Sequence, residues 1–278
     1  MVARVIRSVV LIALAGLTLT GCGRQVSKDP SQDPNLLATG PDRGSMPVPR
    51  PFIAASIDVA GGLPAWAACT KLQFSAIVTA NYPDGGLYLT EHQFTLYPWS
   101  AAIQVTTGEP RARLAWQVIR DQYILKGEEE LDVSPLRGSY REYAEAVLQI
   151  VTTPARMLDN SVVLTRRPVP MQIAGQWYQP IDARYPPREV VSAQKKRKEV
   201  TLVEPYWTQG TCFQSQDRPF MDMIWLGNPT AGKFLLVRGY DYSRVPDGEV
   251  LIPAKIEIFQ SDPEAQFGPR IAMIDLKP

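Results

Sequence analysis

Apolar and polar residues alternate in one segment after another from Leu72 onward. In "LQFSAIVTA", Leu72, Phe74, Ala76, Val78 and Ala80 share a face; in "RLAWQVIR", Leu114, Trp116 and Val118 do; "AIQVT" sets Ile103 with Val105. The pattern continues through "GLYLTEHQFTLYP", "DQYILKG", "PMQIAGQWY", "VTLVEPYW", "MDMIWL", "KFLLVRGYDYS" and "RIAMIDL", with Pro, Gly, Asp or Asn between most segments. Each predicts a half-buried strand. No regular exchange of strand and helix appears, so the fold class is mainly antiparallel β with a few helices. The longest alternation is "GYDYSRVPDGEVLIPAKIEIFQ", where Pro246-Asp247-Gly248 predicts the turn of a hairpin. Beyond it Val250, Ile252, Ala254, Ile256 and Ile258 form a dry face, and Lys255 and Glu257 lie opposite with Leu251, Pro253 and Phe259. Pro253 has no N–H to donate, which puts it at a strand edge or a bulge.

Helical spacing occurs in one clear place. Ser139 followed by Glu142 fits a capping box, and Tyr140, Tyr143, Ala144, Val147, Leu148 and Val151 make an apolar stripe that Pro154 ends or kinks. A second helix is expected over "FIAASIDVA", stopped by Gly61-Gly62, and a short one in "LPAWAACTKL".

The N-terminus follows other rules. Arg4 and Arg7 precede an apolar run, Val9 to Leu19, that is too short for a permanent span and ends in Leu19-Thr20-Gly21-Cys22. Those four residues resemble the lipobox of bacterial lipoproteins, which implies cleavage before Cys22, lipidation of Cys22, and a membrane anchor of several acyl chains. Gly23 in place of Asp implies the outer membrane, at its periplasmic face, rather than the inner membrane. Residues 1–21 are then a signal peptide. Residues 22–51 are rich in Ser, Asp, Gly and Pro and read as a disordered tether, spanning roughly 30 Å. Residues 52–278 read as one domain.

The net charge of +1 gives no bias towards nucleic acid. The one basic run, Lys195 to Lys198, has no interleaved aromatics and reads as a solvated loop. Cys69 and Cys212 suit an exported compartment either as one disulfide or as two buried thiols, and no spacing of Cys or His suggests a metal site. No motif calls for a cofactor.

Two stretches carry a family resemblance. "AGGLPAWAACTKLQFSAIV" sets a helix ending in Gly-Gly before a Trp and a strand; the late hairpin joins Tyr240-Asp241-Tyr242 to a strand with Leu251, Pro253, Ile256 and Ile258. In order and separation they resemble the lipoprotein-localisation-factor superfamily of LolA, LolB and LppX-like proteins. The resemblance implies an unclosed β-barrel, a strongly curved sheet with helices as a lid over an apolar hollow. Tyr143, Val147 and Leu148 on the helix, with Trp116, Ile256 and Ile258 on strands, are then the candidate ligand-lining residues. An ordinary solid core predicts the same pattern.

Catalysis finds little support. His92 stands alone in an alternating strand, and no Gly-x-Ser-x-Gly elbow marks a nucleophile. Glu128, Glu129, Glu130 and Asp132 read as a solvated turn, while Asp217, Asp222 and Asp241 lie near aromatics. Trp66, Trp116, Trp177, Tyr178, Tyr206, Trp207 and Trp225 suit either a greasy hollow or a core. Two functions remain: a tethered protein that shields a lipid, an acyl chain or a lipoprotein's lipid, or an envelope scaffold with a filled core.

Overall fold

The computed structural model describes residues 49–107, 114–119, 122–127, 134–185, 187–194, 197–245 and 248–277. Cys22 with the lipobox and most of the tether, the acidic run at 128–132 and the turn residues Pro246 and Asp247 lie outside the described residues.

Two short helices lead in, α1 (Pro51–Val59) and α2 (Leu63–Ala68). A meander follows: β1 (Leu72–Asn81), β2 (Leu87–Tyr97), β3 (Ala102–Thr107), β4 (Ala115–Ile119) and β5 (Gln122–Lys126). The long helix α3 (Tyr140–Leu158) separates it from β6 (Val163–Arg166), β7 (Met171–Ile173), β8 (Gln176–Arg184), β9 (Arg188–Gln194) and β10 (Arg197–Val203). The chain ends with β11 (Gln209–Ser215), β12 (Met221–Asn228), β13 (Lys233–Arg244), β14 (Leu251–Gln260) and β15 (Arg270–Leu276). All pairings are antiparallel. One 13-stranded sheet runs β5-β4-β3-β2-β1-β15-β14-β13-β12-β11-β8-β6, with β7 also on β8. Among the described residues its two ends do not pair with each other, so the fold is mainly β, an unclosed sheet with three α-helices in the described part.

The sheet wraps around α3. This helix touches β3 and β4 near one end of the sheet and β12, β13 and β14 beyond its middle. A surface helix buries one stripe, yet every residue from Tyr143 to Thr153 is buried here. Three of its polar side chains are met locally, Glu145 by Arg141 at 2.9 Å and the Thr152 and Thr153 hydroxyls by the Leu148 and Gln149 carbonyls one turn back, while Gln149 Oε1 is buried without a partner among the described residues. The expected capping box does not form, because the Ser139 side chain makes no cap hydrogen bond and Glu142 instead accepts from Tyr206 Oη at 2.6 Å. Pro154 does not end the helix, which continues to Leu158.

Gly61 and Gly62 end α1 as the sequence predicts, both at positive φ. Here the chain meets the late hairpin, and the Leu251 N–H donates to the Ala60 carbonyl at 2.9 Å. A Cβ on Gly61 would lie 2.7 Å from the Glu249 carbonyl oxygen, so only glycine permits this approach. Pro253 pairs with Tyr242 of β13, while the ladder between β14 and β15 begins only at Lys255. Its missing N–H therefore falls where β14 is locally an edge. The basic run departs from expectation: Arg197 and Lys198 belong to β10, which pairs with β9 as a separate two-stranded sheet, and Lys195 and Lys196 lie outside the described residues.

Candidate functional site

The six candidate lining residues converge on the interior. Tyr143, Val147, Leu148, Trp116, Ile256 and Ile258 are all at most 2% exposed and belong to one apolar cluster. Strand alternation brings Trp116 and the isoleucines to the inner face, and the helix presents its stripe to them. Around Tyr143 the contact is aromatic: its ring centre lies 5.5–6.3 Å from those of His92, Phe94 and Trp116, His92 also lies near Phe94 and Trp116, and Trp116 meets Tyr140 at 4.2 Å. The helix expected as a lid thus lies within the hollow itself. Beside it lie two voids of about 10 Å³ each, one lined by Gln149, Arg156 and Cys212, the other by Ile150, Pro154 and Pro253.

His92 belongs to this packing. Its Nδ1 is 2.9 Å from Tyr143 Oη, and burial pushes the imidazole pKa down to about 3. A neutral, enclosed imidazole has neither the access nor the basicity of a general base at neutral pH.

A larger cavity of about 430 Å³ opens at one end of the hollow, where α2 meets the start of β1 and the β13–β14 hairpin. Ala65, Ala68, Leu72, Val245 and Val250 supply its apolar wall, and Lys71 and Glu249 are among its polar groups. None of the six candidates lines it. Cys69 does, half-buried, and burial raises its thiol pKa to about 11. Cys212 faces a different void from β11, with burial pushing its pKa to about 12. The two cysteines are unpaired in the structure, Cys69 at the C-terminal cap of α2 and Cys212 buried on β11.

No family model matches the chain, and no curated protein matches its sequence. Solved structures similar to it include a LolA superfamily protein of Nitrosomonas europaea, at TM-score 0.46 and 10% identity, covering 83% of this chain and 92% of that one. Another is a putative outer membrane lipoprotein-sorting protein domain of Vibrio parahaemolyticus, at TM-score 0.42 and 6% identity, covering 75% and 83%. A DUF1329 family protein of Desulfovibrio piger aligns at TM-score 0.41 and 7% identity, covering 81% and 91%.

The aromatics divide in a way the sequence reading missed. Trp66, Trp116 and Trp207 join the interior, Trp177 is 49% exposed, and Tyr178 and Trp225 form a second cluster with Phe213, Met223 and Leu236. That cluster lies on the outer face of β8, β11, β12 and β13. Trp225 Nε1 donates to the Asp262 carbonyl at 2.9 Å, pinning the loop after β14 over it. Asp222 and Asp241 also reach this face, lining one cavity with Tyr240 and Tyr242. Asp217 is exposed in the β11–β12 turn.

Proposed function

We propose that this chain is a non-catalytic envelope lipoprotein, anchored through Cys22 and facing the periplasm from the outer membrane, that binds a hydrophobic ligand such as an acyl chain. The observation that carries the reading is the cavity of about 430 Å³ at the mouth of the hollow, a size within the usual range of ligand pockets, where Ala65, Ala68, Leu72, Val245 and Val250 form an apolar side and Thr70, Lys71, Gln73 and Glu249 a polar one. The deep interior is occupied by α3, so the ligand is assigned to the mouth. Each buried methylene contributes about 0.8 kcal/mol before ordering costs, so a long chain binds without a charged partner. The enclosed state of the single histidine supports a binding role over hydrolysis.

The test uses the full chain carrying Cys22→Ser, so that its own acylation does not interfere. Extraction and mass spectrometry are expected to yield co-purified lipid, and a fluorescent fatty acid is expected to bind. Ala68 is exposed at the cavity, so Ala68→Trp fills it without disturbing the core and should weaken that binding at least tenfold. No lipid and no fatty-acid binding would sink the reading. The burial of α3 on all sides from Tyr143 to Thr153 supports a second one, a protein-interaction scaffold with a filled core, and a clean apo mass that persists after lipid is added would favour it.

A further inference from the structure

The geometry points to a second site, on the outer face of the sheet, for a small organic oxyanion held by Arg218, Arg238 and Asp222 against a wall of Phe220, Tyr240 and Tyr242. These residues line a cavity of about 260 Å³ together with Gln176 and Ser215. Leu236, Arg238 and Tyr240 alternate onto the face opposite α3, while the aromatic wall of Phe220 and Tyr242 reaches through to the small void beside α3.

Two local irregularities meet there. Phe213 pairs with Met223 but Gln214 pairs with Met221, so Asp222 is the extra residue of a β-bulge. A bulge re-aims a side chain that regular alternation would place elsewhere. On the neighbouring strand Asp241 holds φ 55, a left-handed conformation inside β13, with its carboxylate 2.9 Å from Lys255 Nζ. Such departures from regular geometry gather at binding sites.

The charges favour an anion. Arg238 on β13 and Arg218 on the β11–β12 turn both act on Asp222, whose carboxyl is nevertheless raised by burial to about 7. Its Oδ1 is buried with no hydrogen-bond partner among the described residues. The other groups facing it are Tyr178 from β8 and Tyr242 from β13, both raised by burial and so protonated at neutral pH, with Asp217 nearby acting on Tyr178. Near pH 6 the cavity therefore holds two guanidiniums and a carboxylic acid able to donate, while Asp241 is neutralised by Lys255. A cationic ligand would meet two like charges. The Phe220–Tyr242 stack, 4.1 Å between centres, offers an apolar surface for the body of the ligand.

Titration calorimetry of the full-length chain with benzoate and with inorganic phosphate, at pH 6 and pH 8.5, tests this and separates a carboxylate from a phosphate. At least one probe is expected to bind at pH 6. Binding should weaken about tenfold or more at pH 8.5, where Asp222 is ionised and repels the anion. Arg238→Gln, and Arg218→Gln in the exposed turn where folding is not at risk, should each weaken binding at pH 6 at least tenfold. Asp222→Asn keeps a neutral donor and should retain binding at pH 8.5. Failure of both probes at pH 6, unchanged affinity in Arg218→Gln, or a wild-type pH dependence in Asp222→Asn would overturn the assignment.

Discussion

Gly61→Ala isolates the contact by which the first helix closes against the late hairpin. Gly61 has φ +116, and an added Cβ would lie 2.7 Å from the Glu249 carbonyl oxygen and 2.9 Å from Val250 Cα, both backbone atoms that cannot rotate away. The unfavourable φ costs about 1–3 kcal/mol and forced overpacking about 1–3 kcal/mol more. Relief would require moving the hairpin off α1, stretching the 2.9 Å bond from the Leu251 N–H to the Ala60 carbonyl. A total near 3 kcal/mol corresponds to a fall in Tm of about 10 °C for a domain of this size. Gly85→Ala is the control, since Gly85 also has positive φ, +88, but nothing lies within 4 Å of its Cβ position. Thermal melts of the full-length variants, followed by circular dichroism, should place Gly61→Ala well below Gly85→Ala. Equal melting temperatures would refute the steric argument and leave only a shared cost of positive φ.

Four further outcomes follow from the same geometry. Because the folded His92 pKa is held near 3 against an ordinary 6.5, the unfolded chain takes up a proton between these values and the folded chain does not. That contribution is complete above pH 6.5 and declines by about 1.4 kcal/mol per unit as pH falls towards 3; His92→Gln should remove this slope from melts run between pH 6.5 and 4.5. Asp222 acts in the opposite sense: its folded pKa is raised to about 7, so its burial costs more as pH rises from 3.8 to 7, and the gain in Tm from Asp222→Asn should grow across that window and level off above it. Tyr206→Phe removes the 2.6 Å bond to Glu142 and should cost about 1.5–3 kcal/mol, read by urea unfolding. Thiol titration of the unreduced, denatured protein should find Cys69 and Cys212 both reactive, with Cys212 silent in the native state; a mass shift of one disulfide on reduction would contradict this.

The inner face was legible because it follows one rule. In β1 alternate residues are buried and their neighbours are not, so period-2 reading found them; β14 keeps the rule at Ile252, Ile256 and Ile258 but breaks it between them, where Pro253 is buried and Ala254, expected on the dry face, is only half-buried. In β12, Met221 through Gly227 are all buried except Asp222, since the outer face there carries its own cluster. A strand buried on both faces loses the alternation, and "MDMIWL" announces a strand without saying which side matters. The helix was legible as an element but not as a plug, because Glu145 and Gln149 suggest a wetted face until Arg141 and the sheet enclose them. Asp222 drew notice for lying among aromatics. Its bulge was out of reach, because an extra residue exists only relative to the register of the partner strand.

The strand order also dictates a sequence of events. The meander from β5 to β1 and the run from β14 to β6 share no pairing except through β15, which lies between β1 and β14. A chain emerging N-terminus first therefore presents β1 long before residues 270–276 exist to cover it, and completion of the sheet waits for β15. Until then two long apolar edges are open to any strand that passes, including those of neighbouring copies. Deletion of β15 alone would fix the protein permanently in that state, turning the loss of seven residues into two unjoined half-sheets.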